Sequence, residues 1–346
     1  MKLSTVGYAL LLPTLFIYWD SSTLGSESSE SVSTTDAVLT RGDGGCCNEL
    51  QVWMVSSRCA PRCEGLEQGF HELSFLQYDA CDHCFVASDL TSLLTVQANL
   101  PTLLFVHGNP LNHQEAGESC CSLYRRIKCC DGPKMLIFWS WPAETVHTRS
   151  LLRPIQLVRD NARVKGYYAE RQGYYLARLT QLMSTQQPLT LGGHSFGGLV
   201  AISTLHLLAG GQLPGTCLPE LESKQQPCDH LRAAIIAGVL DYDAVYPGGR
   251  YDRALHCVGK FYTTFNHCDV ILKRWPIHSC RGQEALGLVG LCPSRLGENA
   301  SKIIQDHVTC DVRNSHYMAE HLACPRIVQA ICSLSQPNFL LETTCE

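Results

Sequence analysis

The chain has 346 residues, 45% of them hydrophobic and 17% charged, which is enough apolar material to bury one large core. Its formal net charge is -5, and no run of Lys or Arg exceeds a pair. That balance leaves no electrostatic footprint for nucleic acid or an anionic membrane and points to a small-molecule partner.

Residues 6–19 form an apolar run after Lys2, interrupted by Tyr8, Pro13 and Thr14, and small residues follow up to a cleavage-like position near Gly25. The run is short for a membrane span. Residues 1–25 therefore read as an export signal, with an uncleaved N-terminal anchor as the alternative, and the protein as secreted or periplasmic. Residues 26–45, rich in Ser, Thr, Asp and Gly, read as a linker with little to bury. Residues 46–346 remain for one α/β domain with a Cys-rich N-terminal portion.

Twenty cysteines suit an oxidising compartment, and disulfides are the first reading. Three adjacent pairs (Cys46-Cys47, Cys120-Cys121, Cys129-Cys130) predict partners elsewhere, because neighbours seldom bridge each other. The competing reading is a zinc site from Cys59, Cys63, Cys81 and Cys84, whose spacing could supply four thiolates. No other part of the chain calls for a metal, and no motif calls for a cofactor.

Residues 49–56 are a plausible first strand, followed by an irregular Cys-rich stretch with a strand predicted around 70–76 and a short helix near 88–94. Residues 103–106 (Leu-Leu-Phe-Val) are a continuous apolar run suited to a central parallel strand, ending abruptly at His107-Gly108-Asn109-Pro110. Residues 134–139 are another buried strand, stopped by Ser140-Trp141-Pro142. Residues 167–182 show helical periodicity and lead into 189–200, Leu-Thr-Leu-Gly-Gly-His-Ser-Phe-Gly-Gly-Leu-Val. This last stretch reads as a strand, a GxSxG turn with Ser195 at its apex, and an apolar helix to Leu208. Further buried strands are predicted at 232–240, 260–266 and 307–312. The rhythm is βαβ, that of a parallel sheet with right-handed crossovers.

Parallel strands present their C-terminal ends to one side, so residues just past those ends can meet although distant in sequence. Ser195 is then the candidate nucleophile. The candidate acid is Asp269, past the penultimate strand, with Asp241 one strand earlier as the alternative. Of the later histidines His278, His307, His316 and His321, His316 is the candidate base because it follows the predicted final strand. The backbone N–H groups of Asn109 and Phe196 are the candidate oxyanion donors. His194, beside the serine, reads as a packing residue.

Taken together, Phe105-Val106-His107-Gly108-Asn109, Phe138-Trp139-Ser140-Trp141-Pro142 and Gly193-His194-Ser195-Phe196-Gly197 resemble the α/β-hydrolase superfamily, and within it the serine-hydrolase group known as DUF900. The resemblance implies a mostly parallel sheet of about eight strands with helices on both faces, and an esterase-like triad acting on a small-molecule acyl substrate. It names no substrate. The motif His107-Gly108-Asn109-Pro110 is also similar to haloalkane dehalogenases, but those use an aspartate where this chain has Ser195. The alternative in a different class is a catalytically silent binding protein on the same fold.

Overall fold

The computed structural model describes residues 50–62, 64–144, 154–216, 218–221 and 230–337, with the side chains of 154–161 left aside. These residues fall in one unit, Gly44–Glu346. The segments expected to be a leader (1–25) and a linker (26–45), the pair Cys46-Cys47 and Cys63 lie outside the described residues. Strands and helices of eight or more residues run in the order β1 (Gln51–Ser56), β2 (Ser74–Asp79), β3 (Cys84–Ser88), α1 (Leu90–Gln97), β4 (Thr102–Val106), α2 (His113–Ile127), β5 (Met135–Ser140), α3 (Pro154–Leu182), β6 (Leu189–His194), α4 (Phe196–Leu208), β7 (Leu231–Ile236), β8 (Lys260–Phe265), β9 (Ile303–His307) and α5 (Pro325–Leu334).

All nine strands join one sheet in the order β3-β2-β1-β5-β4-β6-β7-β8-β9. From β1 to β9 every neighbouring pair is parallel, and β2 alone runs against its neighbours. The sheet is mostly parallel with helices on both faces, as the α/β-hydrolase resemblance implies, and has nine strands rather than about eight. The apolar runs are continuous because both faces of the central strands are covered. Along β4, Leu104 and Val106 enter one core layer with residues of α1, α3 and α4, whereas Leu103 and Phe105 enter the other with residues of α2 and α5.

Several boundaries differ from the sequence expectation, each for a local reason. The strand expected at 70–76 starts only at Ser74, after a 3₁₀ turn at Phe70–Glu72. The short helix begins at Leu90, where the Asp89 side chain accepts the N–H of Ser92 as an N-cap. The strand expected at 232–240 ends at Ile236, because Ala237 takes a positive φ of 49°. The last strand is Ile303–His307, not 307–312. Residues Thr309–Val312 form a helical turn, and Val308 and Val312, four apart on one face, are both buried. The half-exposed edge strand β9 lacked the unbroken apolar run that marked the central strands.

One disulfide is present among the described residues. Cys130 reaches Cys332 across 202 residues, so this member of an adjacent pair does bridge to a distant element. Cys59, Cys81 and Cys84 are exposed thiols, and no group of three or more His, Cys, Asp or Glu converges as metal ligands among the described residues. No described helix is long and apolar enough to cross a membrane.

Candidate active site

The turn between β6 and α4 holds Ser195 at φ 57° and ψ -122°, a region that a residue with a Cβ occupies only under strain. The surroundings enforce it. A Cβ on Gly193 would lie 2.2 Å from the carbonyl oxygen of Gly197, and one on Gly197 would lie 2.1 Å from that of Val106. Only glycines let the helix approach β4 and β6 this closely. Ser195 N–H donates to Ile236 O at 2.9 Å, which ties the turn to the neighbouring strand. The result stands Ser195 Oγ at the carboxyl edge of the sheet.

There it meets His316. Its Oγ lies 2.8 Å from His316 Nε2, and His316 Nδ1 lies 2.7 Å from Asp269 Oδ2. Since a carboxylate can only accept, Nδ1 carries the imidazole proton and Nε2 is the acceptor for the serine hydroxyl. Asp269 is fully buried, and its other oxygen, Oδ1, accepts the N–H groups of Ile271 and Leu272, both at 2.9 Å. Its carboxylate is thus oriented by two backbone donors and offers its remaining oxygen to the histidine.

The other sequence candidates are placed elsewhere. Asp241 accepts from Trp275 Nε1 at 2.8 Å and faces Arg281, so it serves the loop after β8 and not an imidazole. His307 ends β9, where its ring stacks on Phe265 and its Nε2 contacts Thr309 Oγ1. His321 is fully buried, and neither ring nitrogen has a partner among the described residues.

The loop after β4 passes directly beside the serine: a Cβ on Gly108 would come 3.0 Å from Ser195 Cβ. His107, completely buried, sets this loop. Its Nε2 accepts from Trp141 N–H at 3.3 Å, so its proton sits on Nδ1 and donates to Gly108 O at 2.7 Å. Holding that carbonyl turns the Asn109 N–H to the opposite side of the same planar peptide. Trp141 Nε1 also donates to His107 O at 2.9 Å. Burial drives the His107 pKa down to about 3, so the ring stays neutral. The Asn109-Pro110 peptide is cis. Phe196 is the first residue of α4, and its N–H is one of the donors a helix start leaves unbonded.

Three contributors escaped the sequence reading. Arg58, past the end of β1, donates from Nε to Ser140 Oγ at 2.8 Å, pairs with Glu144, and donates from Nη2 to the carbonyls of Leu111 and Asn112 at 3.0 and 3.1 Å. One guanidinium fork thereby anchors the loop that follows Asn109. Asn266, at the end of β8, links the acid loop to the histidine loop through its donation to Arg313 O. His194 is more than packing, since its Nε2–H donates to the His316 carbonyl at 2.9 Å. Burial, reinforced by the neighbouring histidines His316 and His321, holds the His194 pKa well below its ordinary value. A sequence signal existed only for His194, next to the nucleophile.

A cavity of about 560 Å³ lies beside Ala209, Asp252, Arg253 and His256, past the C-terminal end of α4. Ser195 stands at the other end of that 13-residue helix, roughly 20 Å away at 1.5 Å per residue, so the cavity is not part of this site.

No protein-family model matches the chain, and neither does any curated protein, so the DUF900 likeness rests on its three motifs alone. Among solved structures the chain is similar to acyl-protein thioesterase 2 of Zea mays, at 14% identity over 67% of this chain and 90% of that one, with a TM-score of 0.34. It is similar to carboxyl esterase 2 of the mycorrhizal fungus Tuber melanosporum, at 11% identity over 77% and 82%, with a TM-score of 0.37. A third similar structure is EstE5-PMSF, at 14% identity over 76% and 79%, with a TM-score of 0.28.

Proposed function

We propose that this chain is a serine hydrolase that cleaves a carboxylic ester through an acyl-enzyme. The observation that carries the reading is the relay Ser195 Oγ to His316 Nε2 at 2.8 Å and His316 Nδ1 to Asp269 Oδ2 at 2.7 Å, joined to a serine held in a strained elbow. Ser195 Oγ attacks the acyl carbonyl while its proton moves to His316 Nε2. Asp269 keeps the imidazole in the productive tautomer and stabilises the imidazolium. The Phe196 and Asn109 N–H groups receive the developing oxyanion, each such donor contributing about 3 kcal/mol to the transition state. Collapse of the tetrahedral intermediate breaks the ester C–O bond, and His316 protonates the departing alkoxide. Water, deprotonated by His316 in turn, then releases the acid.

A fluorophosphonate probe tests the reading, because it phosphonylates only an activated serine. Wild type is expected to label and Ser195→Ala to stay unlabelled; equal labelling of both would sink the proposal. Wild type that labels is then offered soluble short-chain esters, whose hydrolysis separates an esterase from a silent binding protein.

A further inference from the structure

Of the seven large apolar side chains left in solvent among the described residues, Val86, Tyr167 and Leu182 lie apart and the other four, which include the two most exposed, fall together. Val270 is 45% exposed, Ile271 49%, Ile277 53% and Tyr317 78%. All four belong to the loops that deliver Asp269 and His316. Val270 and Ile271 directly follow the acid, and Tyr317 directly follows the histidine. Ile277 lies in the turn opened by Trp275, whose ring packs edge-on to Phe196 with centroids 6.3 Å apart. The two loops run side by side, with Val270 N–H donating to Asn314 O at 3.5 Å and Asn266 Nδ2 to Arg313 O at 2.7 Å. Between the outward residues, Leu272 is buried in the core, so the loop is well packed and still turns its other large apolar groups to solvent.

The exposed charges within these two loops are cationic, the nearest carboxylates being buried Asp269, Asp311 paired with Arg326, and exposed Glu320 in the helical turn that follows. Residues 270–278 (Val-Ile-Leu-Lys-Arg-Trp-Pro-Ile-His) and 313–318 (Arg-Asn-Ser-His-Tyr-Met) contain Lys273, Arg274 and Arg313 and no Asp or Glu, in a chain whose net charge is -5. All three cations are exposed, and none is in an ion pair among the described residues. Arg281, just beyond, is paired with Asp241 and Asp243. Protruding apolar groups interleaved with unpaired cations match a surface that is apolar inside and negative at its headgroups. The net charge of the whole chain conceals this, because it averages over carboxylates placed elsewhere.

We propose that this rim docks the protein on an anionic lipid surface, so that the ester offered to Ser195 is one carried by that surface. The docking stands on the rim alone; the choice of substrate rests on the hydrolase reading above.

Full-length protein is sedimented with phosphatidylcholine vesicles, with and without phosphatidylserine. Wild type is expected to bind the phosphatidylserine vesicles preferentially and to be released by salt. Lys273→Glu/Arg274→Glu/Ile277→Ser is expected to bind them at least about tenfold more weakly, the scale that losing several rim contacts implies. Both proteins carry the same N-terminal apolar run, so its contribution cancels. A thermal melt matching that of wild type shows the variant is folded, and the charge pair Lys273→Glu/Arg274→Glu alone keeps the comparison if Ile277→Ser unfolds. Ser195→Ala is expected to bind as wild type does, and wild type that binds vesicles but takes up no probe removes the hydrolase reading and leaves the docking. Equal vesicle binding by wild type and rim variants overturns the proposal. So does a concentration-dependent dimer of wild type that the rim variant lacks, since the rim would then belong to a second copy.

Discussion

Asn266 Nδ2 donates to the carbonyl of Arg313 at 2.7 Å, joining the end of the strand that leads to the acid with the loop that carries the histidine. The same buried side chain accepts the N–H of Cys268 at 3.0 Å through Oδ1, and its backbone N–H donates to Gly287 O at 2.8 Å. Asp269 and His316 are each three residues from one end of this link. Asp269 N–H also donates to Asn266 O at 3.2 Å, so the 2.7 Å contact between Asp269 and His316 inherits its geometry from a residue that does not itself bond the imidazole.

Replacing Asn266 with Ala removes the partner of the Arg313 carbonyl and of the Cys268 N–H, two part-buried hydrogen bonds each contributing about 0.5–1.5 kcal/mol. The two loops also lose their shared reference. The expected outcome is a lower Tm together with a kcat on a soluble ester reduced about tenfold or more, and a KM changed far less. Steady-state kinetics on folded protein decide the point. A lowered Tm with unaltered kcat would make Asn266 a purely structural residue.

Asp269→Asn tests the tautomer argument directly. Oδ1 is held by the Ile271 and Leu272 N–H groups, so the amide oxygen of Asn must take that place and its NH2 must face His316 Nδ1. The imidazole then keeps its proton on Nε2 and cannot accept the one on Ser195. A fall in kcat of about 10³- to 10⁴-fold is expected, with the protein still folded. Retention of more than a tenth of the activity would mean that the acid comes from elsewhere, and Asp241 would be reopened.

Two glycines with opposite surroundings provide a stability contrast. Gly197→Ala places a Cβ 2.1 Å from one backbone oxygen and 2.7 Å from another, with no flexible side chain to yield, and is expected to abolish folding or labelling. Gly117 lies within α2, and a Cβ there meets nothing within 4 Å. Gly117→Ala is expected to raise stability by about 0.5–1 kcal/mol through the lower entropy of the unfolded helix segment. Thermal melts of both variants, set beside probe labelling, check the pair.

The parts of this site legible in sequence were those written in contiguous patterns. The apolar runs of β4, β5 and β6 announced a sheet buried on both faces, and the GxSxG turn announced the approach of a helix too close for any Cβ. Positions just past strand ends pointed to Ser195 and Asp269, because a parallel sheet gathers those ends, whereas His316 was reached through a strand expected at 307–312 and lies beyond the helical turn Thr309–Val312 that stands there instead. Arg58 and Asn266 were not legible, since each acts on backbone carbonyls remote in the chain, and a carbonyl leaves no signature in sequence. The edge strand β9 was misplaced by a few residues for a related reason. Its exposed face breaks the apolar run, and the following Val308 and Val312 supply a β-like composition at helical spacing.

Four buried histidines, His107, His194, His206 and His321, give the fold a pH dependence of one sign, since burial lowers the pKa of each. Burial pushes His107 down to about 3 and His321 down to about 4, the latter assisted by His316 and partly opposed by Asp269, and it holds His194 well below its ordinary value. In the unfolded chain each titrates near its reference value of about 6.5. Above that pH neither state binds these protons and their effect is absent. As the pH falls below about 6.5 the unfolded chain takes up protons that the native state refuses, so stability declines by about 1.4 kcal/mol per pH unit for each such histidine. For His321 the loss is complete near pH 4. The Tm is therefore expected to hold between pH 7.5 and about 6.5 and to fall from there to pH 5. His321→Phe should flatten that slope without lowering the Tm at pH 7.5, because it replaces a buried ring whose two nitrogens lack partners among the described residues with an apolar ring of similar shape. A Tm that holds constant down to pH 5, or a slope that His321→Phe leaves intact, would refute the assignment.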